Sequence, residues 1–91
     1  MLLLNRATGI EKNKEVTFSY YPNPVSEKLS LTSNERIKTV KIFNISGKMI
    51  ESLIFFFYSV TIDFSELKSD IYILEINGFR DSKKSIKIIK K

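Results

Sequence analysis

The chain's 91 residues, 43% of them hydrophobic, make a single domain that must place most of its apolar side chains inside, and they exclude a second one. Cys and His are both absent, which removes disulfides, thiolate chemistry, the usual general base and the usual zinc ligands. The net charge of +5 is local: five of the fifteen basic residues (Lys83, Lys84, Lys87, Lys90 and Lys91) stand together without an acid among them, leaving ten basic against ten acidic groups elsewhere.

Residues 1–15 read as a linker or disordered N-terminal segment. Leu2, Leu3 and Leu4 form an apolar run far shorter than the roughly 7–15 residues of a signal-peptide core, so no secretory signal is expected. No later run approaches the roughly 18 apolar residues of a membrane helix, and no membrane insertion is expected.

From Val16 the pattern is that of strands, and residues 16–91 read as one β-sandwich. Val16, Phe18 and Tyr20 alternate with polar or outward positions until Pro22-Asn23-Pro24, where two residues lack an N–H, stops the ladder. Glu27 to Thr32 alternates again, with Leu29 and Leu31 on one face, up to a loop at Ser33-Asn34-Glu35. Lys38 to Ile45 follows, with Val40 and Ile42 pointing one way and Thr39, Lys41 and Phe43 the other. Ser46-Gly47-Lys48 turns the chain, with Gly47 free to take positive φ, and Met49 to Leu53 returns antiparallel.

Leu53-Ile54-Phe55-Phe56-Phe57-Tyr58 breaks the alternation, because one strand cannot aim six consecutive apolar residues at one core. A bend or strand switch that buries both halves is the plain reading. An exposed hydrophobic edge for a partner is the sharper one. A third is cross-β aggregation, which such an uncharged window without Pro favours.

Ile62 to Ile76 organises the rest. A polar turn over Ser65 to Asp70 leads into a strand on which Tyr72, Leu74 and Ile76 share a face. Leu67-x-x-Asp70-x-Tyr72 has the spacing of a tyrosine corner, in which the hydroxyl returns to backbone a few residues upstream. The strands over Ile71 to Ile76 and Ser85 to Ile89 form a hairpin about Asn77 to Ser82, with Ile86 and Ile88 inward between lysines. The fold expected is all-β: a small immunoglobulin-like Greek-key β-sandwich of about seven strands.

Other motifs have plain readings. Gly47-Lys48 lacks the upstream glycine and following helix of a phosphate-binding loop, and reads as a hairpin turn. Asn44-Ile45-Ser46 matches a glycosylation acceptor, a tripeptide common by chance. Asp63, Glu66 and Asp70 offer oxygens to calcium, but Asp and Ser in turns more often bond their own backbone. The lysines of the final strand read as a solvated edge that discourages strand addition, or as a positive surface for a partner. Without interleaved aromatics and Arg they give phosphate attraction and no base reading, so no nucleic acid is expected.

Tyr21-Pro22-Asn23-Pro24-Val25, Leu29-x-Leu31, Val40-x-Ile42-Phe43-Asn44-Ile45-x-Gly47-Lys48-x-Ile50, Ile62-Asp63-Phe64-Ser65-x-Leu67, Ile71-Tyr72-x-Leu74-x-Ile76 and Ile86-Lys87-Ile88-Ile89-Lys90 occur in that order. Together they resemble the C-terminal sorting domain of the bacterial type IX (Por) secretion system, type A. The resemblance implies a non-enzymatic secretion signal carried behind a passenger that is not in this chain. It implies recognition by the outer-membrane translocon and removal by a sortase-like cysteine protease, at a linker between Thr8 and Ser19. It implies a passenger that crosses the periplasm and outer membrane to be secreted or held at the cell surface.

By the same resemblance the sorting motif comprises Tyr21, Pro22, Asn23, Pro24, Gly47, Lys48, Tyr72, Lys87, Lys90 and Lys91, with no catalytic, cofactor-binding or metal residues and no cofactor. Asp70 stands where the family commonly has Gly, which raises left-handed geometry at that turn. An alternative is an adhesion or carbohydrate-binding sandwich stacking sugars on Tyr20, Tyr21 or Tyr58. A small hydrolase using paired carboxylates would need a pocket for which this chain has little spare volume.

Overall fold

The computed structural model describes residues 16–91. The linker expected over residues 1–15, and most of the stretch expected to hold the cleavage point, lie outside the described residues. The alternating segments become β1 (Phe18–Tyr21), β2 (Lys28–Ser33), β3 (Ile37–Asn44), β4 (Met49–Ile54), β5 (Ser59–Asp63), β6 (Asp70–Gly78) and β7 (Lys83–Lys90). They build a three-stranded sheet ordered β1-β2-β5 and a four-stranded sheet ordered β4-β3-β6-β7, with antiparallel ladders throughout. The chain changes sheet between β2 and β3, between β4 and β5, and between β5 and β6, which is how an immunoglobulin-like Greek key buries both inner faces.

Period-2 alternation decides what lies between the sheets. Leu29 and Leu31 of β2 and Val60 and Ile62 of β5 face Val40 and Ile42 of β3, Tyr72, Leu74 and Ile76 of β6, and Ile86 and Ile88 of β7, all buried. Each such aliphatic side chain contributes about 2 kcal/mol by leaving water. Tyr72 also closes the expected corner: its hydroxyl donates to the Lys68 carbonyl at 2.7 Å, and its ring meets Phe64 edge-on with centroids 6.1 Å apart.

Two local expectations change. The first strand begins at Phe18 rather than Val16, because Thr17 turns its main chain to Asn34. Its N–H donates to Asn34 Oδ1 at 3.0 Å and its carbonyl accepts the Asn34 N–H at 3.3 Å. Asp70 is not left-handed. It opens β6 extended opposite Lys90, and its Oδ1 accepts the Ile71 N–H at 2.8 Å. Among the described residues other than Gly, positive φ occurs at Asp81 (65°), in the β6–β7 hairpin, where Gly78 N–H meets the Ser82 carbonyl at 2.9 Å.

The apolar run is a strand switch, but it buries only part of itself. Leu53 and Phe55 pack against the core, whereas Ile54 is 73% exposed and Phe56, Phe57 and Tyr58 are also largely exposed. Main-chain bonds hold the crossing in place, from Phe55 N–H to Lys38 O at 2.9 Å and from Ile37 N–H to Phe57 O at 2.9 Å. Phe56 stacks on Phe79 at 5.5 Å, and the Arg36 guanidinium lies 5.7 Å from the Tyr58 ring centre.

Close to this crossing sits a buried carboxylate. Glu35, 5% exposed, accepts the Arg80 N–H at 2.9 Å and the Ser82 hydroxyl at 2.8 Å, while its own N–H donates to Ser33 Oγ at 3.0 Å. Gly78 makes room for it, since a Cβ there would collide with the carboxylate.

Candidate functional site

β1 ends at Tyr21 because neither Pro22 nor Pro24 can donate to a ladder, and both X-Pro bonds flanking Asn23 are cis. The only side chain between them is a carboxamide, and it is used as a strand would be. Asn23 Nδ2 donates to the Lys87 carbonyl at 3.2 Å, and its Oδ1 accepts the Ile89 N–H at 3.0 Å. Val25 continues the seam: its N–H donates to Ile89 O at 2.8 Å, its carbonyl accepts the Lys91 N–H at 2.9 Å, and it forms a parallel bridge with Lys90. The fully buried Val25 side chain plugs the gap between the sheets. The edge of β7 that would otherwise face solvent is thereby covered along its final half.

The structure therefore brings Tyr21, Pro22, Asn23 and Pro24 together with Lys87, Lys90 and Lys91. Tyr21 and the Lys87 and Lys91 side chains are exposed, and Lys90 is partly covered.

Gly47 and Lys48 share this end of the sandwich but not the seam, because β3 and β6 separate their hairpin from β7. Gly47 has φ of 93°, and nothing lies near where its Cβ would point, so backbone conformation alone demands glycine. Asn44 organises this turn, a role the tripeptide Asn44-Ile45-Ser46 did not advertise. Its Oδ1 accepts from Ser46 N, Ser46 Oγ and Lys48 N at 3.1, 2.9 and 2.9 Å.

Tyr72 lies near the same end, opposite Asn44 and Ile88, but is 4% exposed and serves the interior. Burial, reinforced by the negative charge of Asp70, raises its phenol above the ordinary value of 10.0.

The remaining candidates separate. Asp63 Oδ1 accepts the Ser65 N–H at 2.9 Å; hydrogen bonds from the Ser65 side chain and backbone, with a smaller contribution from Lys28, hold its carboxyl below 3.8. Asp63 and Asp70 each serve their own backbone, and among the described residues no group of three acidic, Cys or His side chains is placed to hold a metal. Tyr20 and Tyr21 alternate on β1, Tyr20 half-buried and Tyr21 exposed, and Tyr58 sits under Arg36 at the entry to β5; they form no common stacking platform.

Sequence reasoning missed the Asn23 seam and the Glu35 clamp. A lone carboxamide between prolines was the available signal for the first, since it is the one side chain there able both to donate and to accept.

The fold is similar to that of a DUF3244-family protein from Bacteroides vulgatus, solved as an immunoglobulin-like β-sandwich, with a TM-score of 0.64 at 19% identity over 85% of this chain and 95% of that one. At that identity the likeness concerns the fold alone. No curated protein matches the chain. Residues 19–91 match the family model of the secretion system C-terminal sorting domain, a span that takes in all but the first residue of the seven strands and both sides of the Asn23 seam. The chain belongs to that family, the C-terminal sorting signals of type IX secretion, whose members are exported to the cell surface or secreted.

Proposed function

We propose that this domain is the address of a passenger attached ahead of it. The outer-membrane translocon reads it, and a sortase-like cysteine protease then cuts between Thr8 and Ser19. The passenger is either released or attached to surface lipopolysaccharide. The seam carries the reading: Asn23 holds Lys87 and Ile89, so the Pro-Asn-Pro segment and the lysine-rich strand form one surface although they lie far apart in sequence. That surface is exposed and positive, and the Asn23 bonds use main-chain groups of β7, so the exposed Lys87 and Lys91 side chains are left to meet a partner. No catalytic role is needed of a domain that sorts.

The test fuses the whole chain behind a signal peptide and a folded reporter in a bacterium that has the type IX system. The reporter is expected outside the outer membrane. Changing Lys87, Lys90 and Lys91 to Gln should leave it in the periplasm with an unchanged melting curve. If the intact fusion stays in the periplasm while a known sorting domain exports the same reporter, the reading is wrong.

A further inference from the structure

The outer face of the four-stranded sheet is divided in two. By register, its outward residues on β3, β6 and β7 form successive rows: Thr39-Asn77-Lys83, Lys41-Glu75-Ser85, Phe43-Ile73-Lys87, and Ile71 opposite Ile89. The first two rows are what a solvated antiparallel face should be. On these three strands they are polar and internally bonded, Asn77 Nδ2 donating to Thr39 Oγ1 at 3.1 Å and Lys83 pairing with Glu75 at 3.6 Å, while Ile54 of β4 stands exposed opposite Thr39 at the sheet edge. In the last two rows the alternation persists but the polarity does not. Phe43, Ile71 and Ile73 are half-buried, and Ile89 is 44% exposed. Met49, opposite Phe43 on β4, extends the apolar area to the other edge. None of these residues contributes to the core, so the interior does not explain them.

The apolar half adjoins the Asn23 seam. Lys87 and Ile89 give their main chains to Asn23 and turn their side chains onto this face. Its margin is basic: Lys87 lies in the apolar row itself, and Lys91 follows β7 in the same outward alternation as Ile89. The nearest outward acid, Glu75, belongs to the polar half and is engaged by Lys83.

We propose that this half-face, with Phe43, Ile71, Ile73 and Ile89 at its centre and Lys87 and Lys91 along its margin, docks a protein of the export machinery through a flat apolar surface rimmed by carboxylates. The proposal rests on the sorting reading above and adds the surface and the partner's chemistry. Charge selects among occupants. A second copy related by a twofold axis would set the two lysine margins against each other. A bilayer would suit the lysines, but it is entered by projecting loops, whereas these side chains lie level within a sheet. A carboxylate-rimmed protein surface satisfies both the flat apolar centre and the positive margin.

The experiment uses the same full-chain reporter fusion. Ile73→Thr with Ile89→Thr keeps β-branching while removing apolar surface. Export is expected to fall about tenfold or more, the loss of one strong interface contact, with the melting curve unchanged. Lys41→Gln and Ser85→Ala, in the polar half, should export as wild type. If the double variant is less stable, Ile89→Thr made alone decides; export lost with an intact melt supports the proposal, and normal export overturns it. Wild-type export with normal export of a stable double variant overturns the docking surface and leaves the sorting reading standing; absence of wild-type export overturns both. Two results assign the face elsewhere and overturn the proposal: a dimer in sedimentation that the double variant abolishes, or co-sedimentation with phosphatidylethanolamine–phosphatidylglycerol vesicles that it abolishes.

Discussion

At one end of the sandwich an exposed carboxamide, Asn23, ties two main-chain groups of β7; at the other a buried carboxylate, Glu35, ties the Arg80 amide and the Ser82 hydroxyl of the β6–β7 turn. Both let one side chain stand in for a missing strand, yet their energetics differ. Water competes for every bond that Asn23 makes, so each is worth little to stability. Glu35 has left water, and the Arg80 amide and Ser82 hydroxyl it accepts from are partly covered, so losing the clamp costs more than losing an exposed bond. The buried tie belongs to the fold, and the exposed one is free to serve recognition.

The largest expected effect breaks the buried tie. Glu35→Ala should cost about 3 kcal/mol in urea unfolding, by orphaning the Arg80 N–H and the Ser82 hydroxyl, whereas Glu35→Gln, which keeps an acceptor and the shape, should cost about 1 kcal/mol. Equal losses would mean that the clamp fills space rather than accepting bonds.

Next comes the corner near the other end. Tyr72→Phe should cost about 1.5 kcal/mol by leaving the Lys68 carbonyl without its donor. Its pH signature has a definite sign. Because the folded phenol holds its proton more tightly than the unfolded one, the stability it contributes is complete below 10.0 and declines as pH rises beyond that value. Alkaline melts of wild type should fall more steeply than those of Tyr72→Phe.

Asn23→Ala sharpens the contrast. It should cost only about 1 kcal/mol, since both bonds are exposed, yet reduce export of a fused reporter more than Glu35→Gln does at comparable stability. An equal effect on export would show that folding alone sets it.

The smallest effects lie in the turns. Asp81→Gly should stabilise by about 0.5 kcal/mol by relieving positive φ. Asp70→Gly should destabilise by a similar few tenths, about 0.5 kcal/mol, because it loses the bond to the Ile71 amide and gains no conformational relief. Thermal melts of the two variants should therefore shift in opposite directions.

Sheet faces were readable wherever one face is buried: Leu29 and Leu31, Val40 and Ile42, and Tyr72 to Ile76 alternate because a one-residue slip would expose them all. Gly47 was readable because positive φ has few tenants. Asp70 and Asp81 were not told apart, since Asp suits both a left-handed turn and a carboxylate cap, and only the backbone path separates them. Glu35 sits in a loop whose composition reads as solvated, and nothing local shows that the β6–β7 turn will close over it. The apolar run through Phe57 was legible as a break in period, but which rings turn outward depends on where the two sheets part.

The Asn23 seam joins partners 64 and 66 residues apart. Contacts of such separation carry a large loop-closure cost and form late, after more local pairings have shortened the path between them. Neither half of the paired surface exists in an extended chain, even though both sequences are present. A partner that engaged the two halves together would therefore bind only chains in which the seam has closed.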